Sequence, residues 1–137
     1  MDGGAFLDRV AAYARDGWRL VVINATSLLP AEGTEDGAFD ITWSFARERE
    51  FEHLRERVLP GEDVPSISAH YPASFLYENE LRELFGISIT GIGVDFGGQM
   101  YRTGERVPFA PGAIRARLEA AGRLDAAPRP GHGPQQP

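Results

Sequence analysis

The sequence predicts an α+β domain of two layers, a small sheet with helices packed on one face, and three stretches predict it. Phe6, Leu7, Val10, Ala11 and Ala14 recur at helical spacing. Phe39, Ile41, Trp43 and Phe45 alternate strictly with Asp40, Thr42 and Ser44, the pattern of a strand buried on one side. Tyr71 to Ile87, YPASFLYENELRELFGI, gathers a second helix together with its start and stop signals. The aromatic strand face needs cover, and the two helices are the cover the chain offers.

Taken in order, the first helix spans about Ala5 to Arg15 and is closed by Asp16-Gly17. Trp18 to Ala25, WRLVVINA, is dense in β-branched residues and reads as a well-buried strand. Leu28 to Gly37 is a loop with Pro30, Gly33 and the acidic Glu32, Glu35 and Asp36, ending in the turn pair Asp36-Gly37. After the alternating strand, Arg47-Glu48-Arg49-Glu50 is a solvated charged turn. Phe51 to Val58 reads two ways: Phe51, Leu54 and Val58 fit a helix, while the short length fits a strand. Leu59-Pro60-Gly61 ends it, and Glu62 to His70 is a connection with one apolar piece, Val64 to Ile67.

Pro72 biases Tyr71 toward extended backbone, Ser74 can cap the next helix, and Gly86 supplies a left-handed stop, so a helix is expected from about Phe75 to Phe85. On a wheel of roughly 100° per residue, Leu76, Leu84, Tyr77, Leu81 and Phe85 form one apolar arc, with Asn79, Arg82 and Glu83 opposite. Glu80 falls inside that arc and Glu78 at its border. A carboxylate at such a place is paired or protonated, or it lies on a surface that something else covers. The plain structural alternative pairs Glu78 with Arg82 one turn on and lets Glu80 reach past the arc to water. Ile87 and Ile89 then alternate with Ser88 and Thr90 as a last short strand.

From Gly91 the chain changes character. Gly91, Gly93, Gly97 and Gly98 lack the spacing and the following helix of a phosphate loop. Asp95-Phe96-Gly97-Gly98, Tyr101-Arg102 and Pro108-Phe109 read as an extended arm with aromatic anchors, a kind that rarely folds alone. Pro111 to Gly122 fits one short helix using Ile114 and Leu118, and the Pro- and Gly-rich stretch from Arg123 to Pro137 is expected to be disordered. Three units follow: a domain at 1–92, an arm with a short helix at 93–122 and a tail at 123–137.

Composition narrows the function. At 137 residues the chain suits one domain, and 42% hydrophobic with 25% charged residues is ordinary for a globular protein. With no Cys, disulfides, thiolate zinc sites, iron–sulfur clusters and cysteine nucleophiles are excluded in this chain. His53, His70 and His132 stand far apart, which argues against a histidine-built metal site. A net charge of -6 lacks the footprint of a nucleic-acid binder. No run approaches the roughly eighteen apolar residues of a membrane span, and the N-terminus has no basic leader, so a cytoplasmic chain is expected.

Glu78-Asn79-Glu80, then Glu83, then Phe85-Gly86-Ile87, with Pro72-Ala73 before them, resembles the helix signature of the C-subunit family of NADH-quinone oxidoreductase, respiratory complex I. The family signature is E-R-E followed by D and F-G-I. Asn79 stands where the family prefers Arg, Glu83 where it prefers Asp, and Leu76 where it often has Trp. The variant FLYENE is closer to members serving membrane-bound energy-converting nickel-iron hydrogenases. Where complex I members continue with Gly-His-Pro and an arginine-rich segment, this chain has Gly91-Ile92-Gly93 and Asp95-Phe96-Gly97-Gly98, which favours the hydrogenase or a related membrane-complex branch over an NADH-quinone oxidoreductase.

The resemblance covers roughly Phe6 to Thr90 and implies helices packed on a small mixed sheet, with Phe51 to Val58 as a strand. On that choice Phe51, His53, Arg55 and Arg57 share one face, a basic strip able to meet the acidic helix. It further implies a docking subunit without catalytic, cofactor-binding or metal residues of its own. Such a subunit sits beside the large catalytic subunit and the iron–sulfur subunit, on the cytoplasmic side of the membrane and touching it only through the complex. Partner-binding residues expected on this basis are Glu78, Glu80, Glu83, Phe85, Asp95, Phe96, Tyr101 and Arg102. Two rival readings are a small acid/base enzyme using Glu78, Glu80 and His70, and a generic adaptor that buries an exposed apolar patch.

Overall fold

The computed structural model describes residues 1–30 and 37–123. Helix α1 spans Gly3–Arg15, beginning ahead of its apolar repeat because Asp2 caps it, Oδ1 accepting from the Ala5 amide at 3.0 Å. Strand β1 follows at Arg19–Leu28, β2 at Ala38–Arg47 and β3 at Glu50–Val58. They form an antiparallel sheet in the order β1-β2-β3, with an irregularity between Leu20 and Val22. Arg47 pairs with Glu50, so Glu48 and Arg49 make a two-residue turn, with Glu48 at φ 51. The stretch that read two ways is thus a strand. The acidic residues expected in the β1–β2 loop, and the expected tail beyond Arg123, lie outside the described residues.

The alternation of β2 determines the layers. Phe39, Ile41, Trp43 and Phe45 all point to one face and are at most 2% exposed. From α1, Phe6 lies 4.6 Å from Trp43 between ring centroids, and Tyr13 stacks on Phe45 at 4.5 Å. Phe45 also meets Tyr71 at 5.5 Å, and Phe39 meets Phe85 at 6.5 Å, so the second helical segment covers the same face. Each such buried side chain contributes about 1.5–3 kcal/mol.

The parallel pairing stands apart from this sheet. Strand β4, Asp63–Pro65, runs parallel to β5, Ser88–Thr90, as a separate two-stranded piece, so the sheets are two where one mixed sheet was expected. The basic strip is corrected as well. Arg55 and Arg57 both bind Asp40 on the outer face of β2, away from the helices.

Helix α2 spans Ser74–Glu80 and passes into a π-helical turn, Leu81–Phe85, that Gly86 ends at φ 77. Ser74 is not the cap. Ala73 flanks the helix without a side-chain bond, and Ser74 sits in its first turn with its hydroxyl directed to Glu78. Helix α3, Pro111–Ala120, opens on a proline whose missing amide costs nothing there. Its start presses on Gly37, where an added Cβ would stand 2.5 Å from the Leu28 carbonyl oxygen and 2.7 Å from Pro111 Cβ. With φ at 62, only glycine fits that junction.

Candidate functional site

The expected apolar arc of the organising helix holds in part: Leu81 is buried and Tyr77 and Phe85 pack against the core, but polar residues are buried as well. Ser74, Glu78, Asn79 and Leu81 are inside, whereas Leu76 is 46% exposed. Polar side chains go inward because segments distant in sequence supply their partners.

Glu78, 2% exposed, accepts from the Ile67 amide at 2.7 Å and from Ser74 Oγ at 3.2 Å through Oε1. Its Oε2 lies 2.6 Å from Ser66 Oγ, which also accepts from the Ser68 amide at 3.0 Å. A desolvated carboxylate costs several kcal/mol unless donors surround it, and here they do. Ser68 Oγ in turn accepts from the Gly93 amide at 3.0 Å. Glu78 therefore ties α2 to the 66–68 connection. It does not pair with Arg82, and both its oxygens are taken up by the chain's own Ile67, Ser74 and Ser66.

The next polar residues grip the arm. Asn79 Nδ2 donates to the Phe75 and Val94 carbonyls at 2.7 and 2.8 Å, and its Oδ1 accepts from the Phe96 amide at 3.0 Å. The departure from the E-R-E pattern is thus a staple between helix and arm. Arg82 pairs with Asp95, whose carboxyl this guanidinium, helped by the Gly97 amide, holds below the usual carboxylate range. Glu83 Oε1 accepts from the Met100 and Tyr101 amides at 2.7 and 3.0 Å, while its Oε2 is buried without a partner among the described residues. Glu80 accepts from the Tyr101 hydroxyl at 2.8 Å, which raises the pKa of that phenol. Glu80 meets neither Arg55 nor Arg57.

Aromatic anchors complete the clasp. Phe96 lies 6.0 Å from Phe75, and Phe109 lies 5.4 Å from the half-buried Phe85. The Phe109 amide donates to the Leu84 carbonyl at 2.8 Å. Between the π turn and the arm is a cavity of about 510 Å³, lined among others by Arg82, Glu83, Asp95, Tyr101, Thr103 and Arg106. Val94, Phe96 and Tyr101 remain 50%, 41% and 41% exposed on the arm, and Arg102 is exposed beside them.

This geometry does not assemble an acid/base pair. Glu78 is drawn to Ser66 and Ile67, Glu80 to Tyr101, and His70 stands exposed before the helix. Sequence reasoning missed Ser66, Ser68 and Asn79. The serines flank the buried Ile67, but no local rule directs them to a carboxylate many residues on.

Residues 5–93 match the family described as respiratory-chain NADH dehydrogenase, 30 Kd subunit. The chain belongs to that family. The match ends at Gly93, the residue that Ser68 holds, so the clasped arm lies almost wholly beyond the part this 30 kDa-subunit family defines. No curated protein matches the sequence. Among solved structures, the fold is similar to a chain of the membrane-bound sulfane sulfur reductase, an archaeal respiratory membrane complex. That likeness has a TM-score of 0.53 at 13% identity, covering 94% of this chain and 79% of the other. Membership makes the protein a subunit of a complex I-like assembly, and among the described residues no helix is long and apolar enough to cross a membrane.

Proposed function

We propose that the protein is a non-catalytic docking subunit of a complex I-related redox complex, packed against the large catalytic subunit and next to the iron–sulfur subunit. The observation that carries this reading is the use of polar groups on the organising helix. Glu78, Asn79, Arg82 and Glu83 all hold the chain's own segments, while Leu76, Val94, Phe96 and Tyr101 stay at least 41% exposed above them. Chemistry needs free, convergent polar groups, and docking needs apolar anchors within a polar rim. Phe85, Glu80, Glu83, Asp95, Phe96, Tyr101 and Arg102 form or support that surface.

The complex lies at the cytoplasmic face of the membrane, and the chain reaches the membrane only through it. FLYENE and the Gly91-Ile92-Gly93 continuation favour an energy-converting hydrogenase over an NADH-quinone oxidoreductase. Purifying the complex from its host through this chain tests both levels. Recovery of a large subunit and an iron–sulfur subunit is expected, with electron transfer linked to hydrogen in preference to NADH. Recovery of the chain alone, or turnover by the chain alone, would refute the docking role.

A further inference from the structure

The outer face of the antiparallel sheet is turned away from the helices and carries a basic row. In a chain of net charge -6, His53, Arg55 and Arg57 stand at alternate positions of β3, hence about 7 Å apart along one face. Each is held from β2. Asp40 accepts from Arg55 at 2.7 Å and from Arg57 at 2.9 and 3.1 Å, and Ser44 Oγ lies 2.8 Å from His53 Nδ1. Asp40 and Ser44 are 6% and 7% exposed, while the side chains of Arg55 and Arg57 are 68% and 65% exposed. Phe51, at the end of the row, is 62% exposed, and Arg19 is exposed opposite Ala46 at the start of β1.

A solvated strand face explains exposed arginines but not the buried Asp40 beneath them. One guanidinium would neutralise that carboxylate, so its stabilisation does not account for two of them held over it. The effect is to fix two guanidiniums in orientation while neutralising only one of them. Fixed guanidiniums accept carboxylates with little further loss of side-chain freedom.

We propose that this face docks an acidic segment of a partner protein, its carboxylates meeting the outer edges of Arg55 and Arg57 and its apolar part packing on Phe51. The row lies on an open sheet face and not in a cleft, which suits an extended protein segment better than a small anion. Arginine and phenylalanine side by side match the make-up of protein interfaces. A second copy does not fit face to face, since the two basic rows would repel. The contact is independent of the helix–arm surface and would make the domain a bridge between two partners.

The test uses the full chain, isotope-labelled for NMR, titrated with a short poly-glutamate peptide. Saturable shifts are expected at Phe51, His53, Arg55 and Arg57, falling off as salt rises and absent with a poly-lysine peptide. Thr42→Glu places a carboxylate opposite Arg55 without unpairing Asp40 and should weaken binding at least about fivefold. Arg55→Gln with Arg57→Gln should abolish it, with thermal unfolding recorded alongside because Asp40 is then left unpaired. Shifts confined to the helix–arm surface, no saturable shifts, or unchanged binding by Thr42→Glu would overturn the proposal. So would tighter binding of this row to phosphatidylglycerol vesicles or inorganic phosphate, or self-association through it. None of these outcomes bears on what copurifies with the chain, so this proposal and the docking role stand or fall separately.

Discussion

The α1–sheet half of the domain and the helix–arm half use apolar and polar residues in opposite ways. Under α1, Phe6, Ile41, Trp43 and Phe45 are at most 2% exposed, and the polar bonds from Arg9 to Glu56 and from Tyr13 to Glu52 lie only at the rim of that apolar layer. Between Gly91 and Ala110 no apolar side chain is fully buried, and the segment is held mainly by polar bonds to Ser68, Asn79, Arg82 and Glu83, with Phe96 and Phe109 as half-exposed anchors. Apolar burial is cooperative and hard to exchange. Hydrogen bonds at a half-exposed surface trade readily with water or a partner, so the second half is the one suited to rearrange on docking.

Truncating one aromatic in each half tests this difference directly. Trp43→Ala should cost about 3–5 kcal/mol in urea unfolding, whereas Phe96→Ala should cost less than about 1.5 kcal/mol. Equal costs would mean that the arm belongs to the core. Asn79→Ala comes next, at about 1–3 kcal/mol, because it leaves the Val94 carbonyl and the Phe96 amide without their partner. Amide exchange should then show faster exchange over residues 94–101 with β1–β3 unchanged. Loss of protection across both halves would show that the arm is not a separable unit at residue 93.

The sequence was most legible where structure is local. Strict alternation in Phe39 to Phe45 predicted the buried face, Phe6 and Val10 predicted the helix over it, and Gly86 predicted the stop. It was misleading where the partner is distant. The wheel placed Leu76 inside and treated Asn79 as outward, because a wheel scores side chains against solvent and cannot see Ser66, Val94 or Phe96 arriving to satisfy them. The π turn at Leu81–Phe85 also breaks the 100° step that the wheel assumes. Of the candidate site, the signature residues were found, but their roles divided only in three dimensions, Glu78 inward and Glu80 toward Tyr101.

A smaller effect separates the two faces of the sheet by pH. Arg57 first and then Arg55 outweigh burial and hold the Asp40 carboxyl at a pKa of about 2, below its ordinary 3.8. A depressed carboxylate stabilises the fold above its unfolded pKa, and that stability is lost as pH falls through the folded value. With the exposed guanidiniums screened by water, about 1 kcal/mol should disappear between pH 4 and pH 2. Asp40→Asn should flatten this part of the stability profile. An unchanged profile would show that the two arginines are not held by Asp40 in solution.

The smallest expected effect on the free chain belongs to Glu80, and it discriminates best between internal and external roles. Among the described residues its polar partner is the Tyr101 hydroxyl, at 2.8 Å on an exposed surface. Glu80→Gln keeps an oxygen that accepts from that hydroxyl, so unfolding of the free chain should change by less than about 0.5 kcal/mol. Tyr101→Phe removes the donor and should cost about 0.5–1 kcal/mol. A double-mutant cycle of Glu80→Ala with Tyr101→Phe should return a coupling of about 0.5 kcal/mol. If the proposed docking surface covers Glu80, losing its charge should weaken assembly by about 2 kcal/mol or more, read as loss of the large subunit in co-purification. Lowered stability with assembly intact would assign Glu80 to the clasp alone and move the docking surface to the apolar residues around it.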